Sequence, residues 1–284
     1  MGLGLNPSSV DALGRRIAKG SPSPADLATL SAIQRERAGA LDAVSEVLRR
    51  AFGTPPRSGR TGLAITSRVK TPTALIEALR RRSSLSTIAD IVGIRIVGAM
   101  NLKEQDAFTA RILELLPDSK VVDHRRRPVQ GYRAVHVVAR YSGVPVELQI
   151  RTSAQHAWAE GLELLADQWG RGILHGVAVK GRGAPETARR SEAIMLWELA
   201  ADRIAKLEQE TMRLTDLLTA RIHAAVQADP LVKPQDAAAR LIQEDPSQTS
   251  GINAAALAMR ATLRETGAQI ASLIDGARSV ASGA

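Results

Sequence analysis

The sequence predicts an α/β (α+β) protein in which a mixed β-sheet is flanked by helices and carries N- and C-terminal helical extensions. Short runs of β-branched residues occupy the middle of the chain, whereas apolar residues at helical spacing occupy both ends. Segments rich in glycine, proline and serine separate these regions. Hydrophobic residues make up 44% of the chain and aromatic residues only 2%, so the core has to be built from Leu, Ile, Val and Ala.

The N-terminal region predicts a long helix. Ser23 is a suitable N-cap, Pro24 fits the first helical position, and Asp26 places an acid in the first turn. Basic residues followed by Gly53 predict its end. The segment 54–62 has the composition of a loop.

Strands and helices alternate through the middle of the chain, which is the pattern of an α/β or α+β domain. The predicted strands span 91–97, 119–123, 133–140 and 144–151, and the predicted helices span 104–116, a segment from residue 153, 187–228 and 252–281. We therefore expect an N-terminal helical segment (1–60), a central domain (61–180) and a C-terminal helical extension (181–284).

The positive charge of the protein is confined to the middle of the chain. The net charge is +9, and arginine supplies 31 of the 38 basic residues. Residues 57–95 contain eight basic and two acidic residues, and residues 120–151 contain seven and two, so the rest of the chain is slightly acidic. A field localised in this way predicts a polyanionic ligand, either a nucleotide or a nucleic acid.

Several classes of protein are disfavoured by what the sequence lacks. Without cysteine there are no disulfides, no thiolate nucleophile and no cysteine-ligated metal. The sequence contains no apolar stretch long enough for a spanning helix, and its first residues lack the pattern of a signal peptide. We expect a cytoplasmic protein that does not bind membranes. P-loop, dinucleotide-binding, HExxH and GxSxG motifs are also absent.

Two acids in the basic region are candidate catalytic groups. Asp90 lies in the apolar segment IADIVGIRIVG, directly before the predicted strand 91–97, and Glu147 lies in PVELQIRT. A carboxylate on a buried strand is costly unless it is paired or binds a metal, and two on neighbouring strands could hold Mg²⁺. The alternative is that each acid simply pairs with a nearby arginine, such as Arg95 or Arg151.

Side-chain alternation adds further candidates. On the strand 144–151, Glu147, Gln149 and Arg151 share one face, and the apolar residues between them share the other. Tyr132 follows a glycine beside a run of arginines, where it could stack on a base or could simply be packed. It is predicted to lie on one face of the strand 133–140 with His136.

The motifs RVKTP, IADIVGIRIV, D-x4-P-x2-GYRAVH, VELQIRT and QHAWAE occur in that order over residues 66–170. This series resembles the synthetase domain of the RelA/SpoT alarmone family, which has a nucleotidyltransferase-like fold. Because no metal-hydrolase domain precedes the motifs, the chain resembles the small single-domain members, some of which are toxins.

The resemblance implies transfer of the β,γ-pyrophosphate of ATP to a ribose 3′-hydroxyl, with Mg²⁺ as cofactor. Arg68 and Arg95 would flank the adenine of ATP, and Lys70 would hold its phosphates. Asp90 and Glu147 would bind the metal, and Glu147 would also activate the hydroxyl. The acceptor would be contacted by Tyr132, His136, Gln149, Arg151 and His156.

Some positions depart from the family pattern. The resemblance implies a serine and a lysine where this chain has Ala74 and Ala78, and a different loop before Gly131. Thr71, Thr73 or the arginines at 80–82 could compensate; the arginine cluster could equally be a solvated helix face.

Three functions remain open from the sequence. The first is synthesis of an alarmone from ATP and a guanine nucleotide, GDP or GTP. The second is a toxin that pyrophosphorylates the 3′ CCA end of tRNA and has an antitoxin partner. The third is a non-catalytic member that binds a nucleotide or a protein. The helical extensions could support a homo-oligomer.

Overall fold

The computed structural model describes residues 6–20, 22–53, 63–82, 84–229 and 231–281. Within these ranges it leaves the side chains at 72–74, 81–82, 248 and 273–281 undescribed. The predicted loop 54–62 lies outside the described residues. None of the helices in the described ranges is long and apolar enough to cross a membrane.

The chain contains a mixed five-stranded sheet with strand order β1-β2-β5-β4-β3. The pairs β1–β2, β3–β4 and β4–β5 are antiparallel. The predicted fold class, a mixed sheet flanked by helices with helical extensions, is confirmed. The strands are β1 (Ala64–Val69), β2 (Val92–Gly98), β3 (Lys120–Asp123), β4 (Val135–Tyr141) and β5 (Val144–Thr152).

The described part of the chain also contains eight α-helices. The predicted N-terminal helix is confirmed: Ser23 caps it, and Asp26 completes a reciprocal capping box. The helices are α1 (Pro7–Ala18), α2 (Pro24–Phe52), α3 (Pro72–Arg82), α4 (Leu102–Leu115), α5 (Ser153–Trp169), α6 (Ala184–Ala228), α7 (Pro234–Glu244) and α8 (Ser247–Ala281).

The structure adds elements that the sequence pattern did not reveal, namely α1, β1, α3 and α7. It also corrects the start of one strand. Strand β4 begins at Val135, so Tyr132 does not share a strand face with His136. Tyr132 instead closes a tight turn, in which its amide donates to the Val129 carbonyl at 2.9 Å. The two central residues of that turn, Gln130 and Gly131, both have positive φ angles, which is the pattern of a type I′ turn.

The chain forms two compact units. The first comprises residues up to 99, 106–123 and 134–151, and the second comprises 100–105, 124–133 and 152 onward. The first unit has a core of aliphatic residues from its helices and from one face of the sheet. On β5 the predicted alternation is confirmed, because Val146, Leu148 and Ile150 are fully buried in that core.

The core of the second unit is organised around two tryptophans. The indole Nε1 of Trp158 donates to the carbonyl of Trp197 at 2.7 Å, and the Nε1 of Trp197 donates to the carbonyl of Trp158 at 3.1 Å. Helices α5 and α6 approach closely at this point because residue 161 is a glycine. A Cβ atom added to Gly161 would lie 2.1 Å from the Trp197 ring.

We expect Gly161→Ala to destabilise the second unit by about 1–3 kcal/mol, because the added methyl group overpacks a rigid aromatic contact. Thermal unfolding followed by tryptophan fluorescence measures the effect, since all three tryptophans lie in this unit. Gly267→Ala in α8 is the matched control. Nothing lies within 4 Å of its added Cβ, so that variant should be as stable as the parent or more so. Equal melting temperatures for the two variants would contradict the packing argument.

Candidate functional site

Five of the residues predicted for the site line one small pocket in the first unit. The pocket has a volume of about 10 Å³, room for a single ion or water molecule. Its walls are completed by two residues of β2. The lining residues are Arg68, Asp90, Gly93, Ile94, Arg95, Glu147 and Gln149.

The pairing of β1 with β2 places two arginines on one face of the sheet. Arg95 lies opposite Thr66, and Arg68 lies opposite Gly93. Because directly opposed residues share a face and alternate residues of a strand do so too, Arg68 and Arg95 are diagonal neighbours on the same face. The side chain of Arg68 is exposed and that of Arg95 is half-buried. This arrangement presents two planar cations to one ligand.

Asp90 lies in a single turn of 3₁₀ helix, Ala89–Ile91, immediately before β2. The sequence had placed Asp90 on a strand, and the structure corrects this: Asp90 precedes β2, the strand that neighbours β5. Its partner is Lys70, whose ammonium group lies 2.5 Å from the Asp90 carboxylate. The sequence had suggested only arginines as partners of Asp90, and the structure adds Lys70.

Glu147 belongs to a chain of hydrogen bonds on the polar face of β4 and β5. His136 Nδ1 lies 3.2 Å from one carboxylate oxygen, and the Gln149 amide donates to the other at 2.9 Å. The Arg151 guanidinium in turn donates to the Gln149 side-chain oxygen at 2.9 Å. Arg151 is only 2% exposed. The predicted row of Glu147, Gln149 and Arg151 on one strand face is confirmed.

The charge state of Glu147 follows from this environment. Burial alone would raise its pKa. The hydrogen bond and charge of His136, the Gln149 amide and the charge of Arg68 act in the opposite direction and lower the pKa from 4.5 to about 2. Glu147 is therefore a carboxylate at neutral pH.

The pocket residues fit a magnesium ion in their chemistry. Asp90 and Glu147 supply carboxylate oxygens, the ligands that Mg²⁺ prefers, and water and phosphate oxygens usually complete its coordination. No cluster of three or more His, Asp or Glu side chains suited to a metal occurs in the ranges that the structure describes. A metal at this pocket would thus rest on two protein carboxylates.

Two of the predicted acceptor residues, Tyr132 and His156, belong to the second unit. Tyr132 is half-buried against that unit's core, and its ring meets the edge of His124 at 5.7 Å between centroids. His156 lies on α5, with its Nε2 3.3 Å from Glu160. His136, Gln149 and Arg151 belong to the first unit.

Arg37 is a charged residue near the pocket that the sequence analysis missed. It is 6% exposed, and its guanidinium donates to the Ile88 carbonyl at 2.5 Å, two residues before Asp90. A signal was present: Arg37 falls four residues after Ile33 and four before Leu41, on the apolar stripe of α2. A charge on such a stripe is unusual unless it has a partner.

The positions that depart from the family pattern lie on or beside α3. Ala78 is 5% exposed and packs in the core of the first unit. A lysine at this position would have to extend from inside that core. The side chains of Thr73, Ala74, Arg81 and Arg82 lie outside the described residues, whereas Thr71 and Arg80 are exposed.

Comparison with known proteins identifies relatives of this chain. A family model described as a region found in RelA / SpoT proteins matches residues 67–167. The GTP pyrophosphokinase YjbM of Bacillus subtilis (strain 168) is 31% identical over 147 residues, which are 46% of this chain and 69% of that protein.

The uncharacterized protein Rv1366 of Mycobacterium tuberculosis (strain H37Rv) is 44% identical over 117 residues, 40% of this chain. The match spans 43% of the length of that relative. The crystal structure of the small alarmone synthetase 1 from Bacillus subtilis bound to its product pppGpp aligns with a TM-score of 0.44 and 22% identity. That alignment covers 64% of this chain and 93% of the other.

Replacing His136 by alanine should raise the pKa of Glu147, because burial is then opposed only by Gln149 and Arg68. The folded-state pKa of about 2 lies below the ordinary 4.5, so ionised Glu147 stabilises the folded unit above pH 4.5. That contribution is lost as the pH falls through about 2.

Carboxyl ¹³C NMR titration measures the change in the Glu147 pKa directly. Arg80→Ala, which removes an exposed cation of the same unit, should leave the Glu147 titration unchanged. An unaltered midpoint in His136→Ala would refute the assignment.

Proposed function

The chain belongs to the RelA/SpoT family, and we propose that it is an ATP-dependent pyrophosphokinase that makes an alarmone from a guanine nucleotide. In this reaction the ribose 3′ oxygen of the acceptor attacks the β-phosphorus of ATP. The bond from that phosphorus to the α,β-bridging oxygen breaks, AMP leaves, and the hydroxyl proton is released.

The observation that carries the proposal is the meeting of two carboxylates and two arginines at one pocket. Arg68, Asp90, Arg95 and Glu147 come from three chain segments that are distant in sequence. Phosphoryl-type transfer depends mainly on positioning and on neutralising charge, and it needs little covalent help from the protein. A pocket with both carboxylates and cations supplies these requirements.

On the ATP side, Arg68 and Arg95 flank the adenine, and Lys70 binds the phosphates. Asp90 and Glu147 would hold Mg²⁺, which would supply neutralisation of phosphate charge. Lys70 and Asp90 are paired with each other at 2.5 Å. They would have to separate if Lys70 is to bind phosphate and Asp90 is to hold the metal.

On the acceptor side, His136, Gln149 and Arg151 of the first unit would orient the nucleotide. Acceptor contacts by Tyr132 and His156 stay predictions from the sequence. The low pKa of Glu147 bears on its role, because a carboxylate with a pKa of about 2 is a weak proton acceptor. The low pKa keeps Glu147 ionised, as metal binding requires, and its activation of the hydroxyl stays a prediction from the sequence.

Asp90→Asn and Glu147→Gln should each reduce transfer at least about 100-fold, as losing one preorganised charge-stabilising group commonly does. The assay incubates the purified protein with γ-labelled ATP, Mg²⁺ and either GDP or GTP, and separates labelled products by chromatography. Asp42→Asn, which neutralises an exposed acid of α2, is the matched control and should retain parental activity. Parental transfer by either pocket variant would contradict the proposed site.

The localised basic charge favours one second candidate, transfer of pyrophosphate to the 3′ CCA end of tRNA. The two basic segments, 57–95 and 120–151, contain fifteen basic and four acidic residues. Binding through many phosphate contacts weakens steeply as salt rises, whereas binding of a free nucleotide responds weakly.

If tRNA is the acceptor, label should reach tRNA, and its transfer should fall at least about tenfold between 50 and 200 mM salt. Changing Arg80–Arg82 to glutamate should then abolish tRNA labelling and spare transfer to nucleotides. Label on GDP or GTP with weak salt dependence supports the first proposal instead. Label on neither acceptor, with ATP still bound, would indicate a non-catalytic nucleotide-binding member.

A further inference from the structure

A second, much larger pocket lies in the first unit and is not part of the candidate site. Its volume is about 750 Å³, within the range of small-molecule sites. It is formed by the β4–β5 hairpin, β3, α2, residues of α1 and the segment 86–89, and it shares no lining residue with the pocket at Asp90 and Glu147.

This large pocket opens on the same face of the sheet as the candidate site. Val138 lies opposite Glu147, and Lys120 lies opposite Val138, so the side chains of all three are on one face. Arg140 is two residues further along β4 and shares that face. The opposite face of these strands is packed in the core.

Three cations line the large pocket. Arg37 is nearly fully buried there, and its guanidinium donates to the Ile88 carbonyl. Burial lowers the pKa of Arg37 to about 10, so it stays protonated at neutral pH. Lys120 and Arg140 are exposed, and neither has a carboxylate partner in the part of the chain that the structure describes.

Cations outnumber carboxylates among the residues that line the large pocket. Glu36 is the sole carboxylate among the described residues that line the pocket, against three cations. Glu36 and Asp90 already favour the charged form of Arg37, but the lining cations outnumber the lining acid, and a ligand's anionic group would balance the excess. Charge complementarity therefore predicts an anion.

The remaining walls are apolar and come from separate elements of the unit. They would cover a flat, apolar body rather than a bare inorganic ion. The apolar lining residues are Pro7, Val10, Ile33, Ala89, Val122, Val138, Val144 and Pro145.

We propose that this pocket is a second ligand site, which binds a nucleotide-sized small molecule with an anionic group and an apolar, aromatic body. The anionic group lies at Arg37, Lys120 and Arg140, and the aromatic body lies against the valine and proline wall. The site stands on its own lining residues and does not depend on the proposed transfer reaction.

The test titrates the full-length protein with 8-anilinonaphthalene-1-sulfonate, a probe that combines a sulfonate with an apolar aromatic body, and follows its fluorescence. We expect saturable binding of one probe molecule in this pocket. Reversing both exposed cations, Lys120→Glu with Arg140→Glu, should weaken it at least about fivefold, because two attractive charges become repulsive. Circular dichroism checks that the variant is folded.

The control variant Lys19→Glu with Arg50→Glu makes the same change in net charge at exposed positions of the first unit away from the pocket. Its probe affinity should stay within about twofold of the parent, since distant exposed charges are screened. Equal weakening in both charge-reversal variants, or the lack of saturable binding by the parent, would overturn the proposal.

Discussion

The neighbouring position of β2 and β5 in the middle of the sheet is the constraint on which the candidate site depends. It brings the turn that carries Asp90 beside the strand that carries Glu147, although the two acids are far apart in sequence. Gly93 permits the close approach, because a Cβ atom there would lie 3.2 Å from the Glu147 carbonyl oxygen. The register is fixed by the core, since a shift of one residue would turn Glu147 inward and Leu148 outward. Packing energy on one face of β5 thus positions the chemistry on the other.

The candidate site also requires that its two carboxylates be stabilised in their charged form. Hydrogen bonds and an ion pair from nearby side chains do this. Glu147 is held ionised by hydrogen bonds from His136 and Gln149, and Gln149 is itself oriented by the buried Arg151. Asp90 is held by Lys70. Each carboxylate is therefore stabilised as an anion before any ligand arrives.

Sequence patterns predicted the parts of this arrangement that depend on local periodicity. The alternation on β5 and the capping box at Ser23 are properties of a few consecutive residues, and both are confirmed. The pattern did not reveal β1, whose six residues AITSRV have one half-buried side chain and otherwise exposed ones. Nor could it find the Lys70–Asp90 pair, which exists because β1 folds back on β2.

In the candidate site too, sequence motifs identified the residues, whereas only the folded structure shows their burial and their long-range contacts. Motif order singled out all five polar residues of the small pocket, but burial decides what each can do. Ala78 illustrates this: it was noted as a missing lysine, yet it packs in the core. Arg37 is the converse case, a cation on an apolar helix stripe whose partner, the Ile88 carbonyl, lies 51 residues away in the chain.

The pairing of Lys70 with Asp90 has a thermodynamic consequence for the proposed function. A metal-free nucleotide that takes Lys70 leaves Asp90 without its cation, and a metal ion that binds Asp90 alone leaves Lys70 without its anion. Either ligand, when it binds alone, therefore loses affinity because the Lys70–Asp90 ion pair has to break. The pair is largely shielded from water, since the side chains of Lys70 and Asp90 are only 12% and 28% exposed. Bound together, nucleotide and metal replace both partners at once. Because coupling between two ligands is reciprocal, each should increase the affinity for the other.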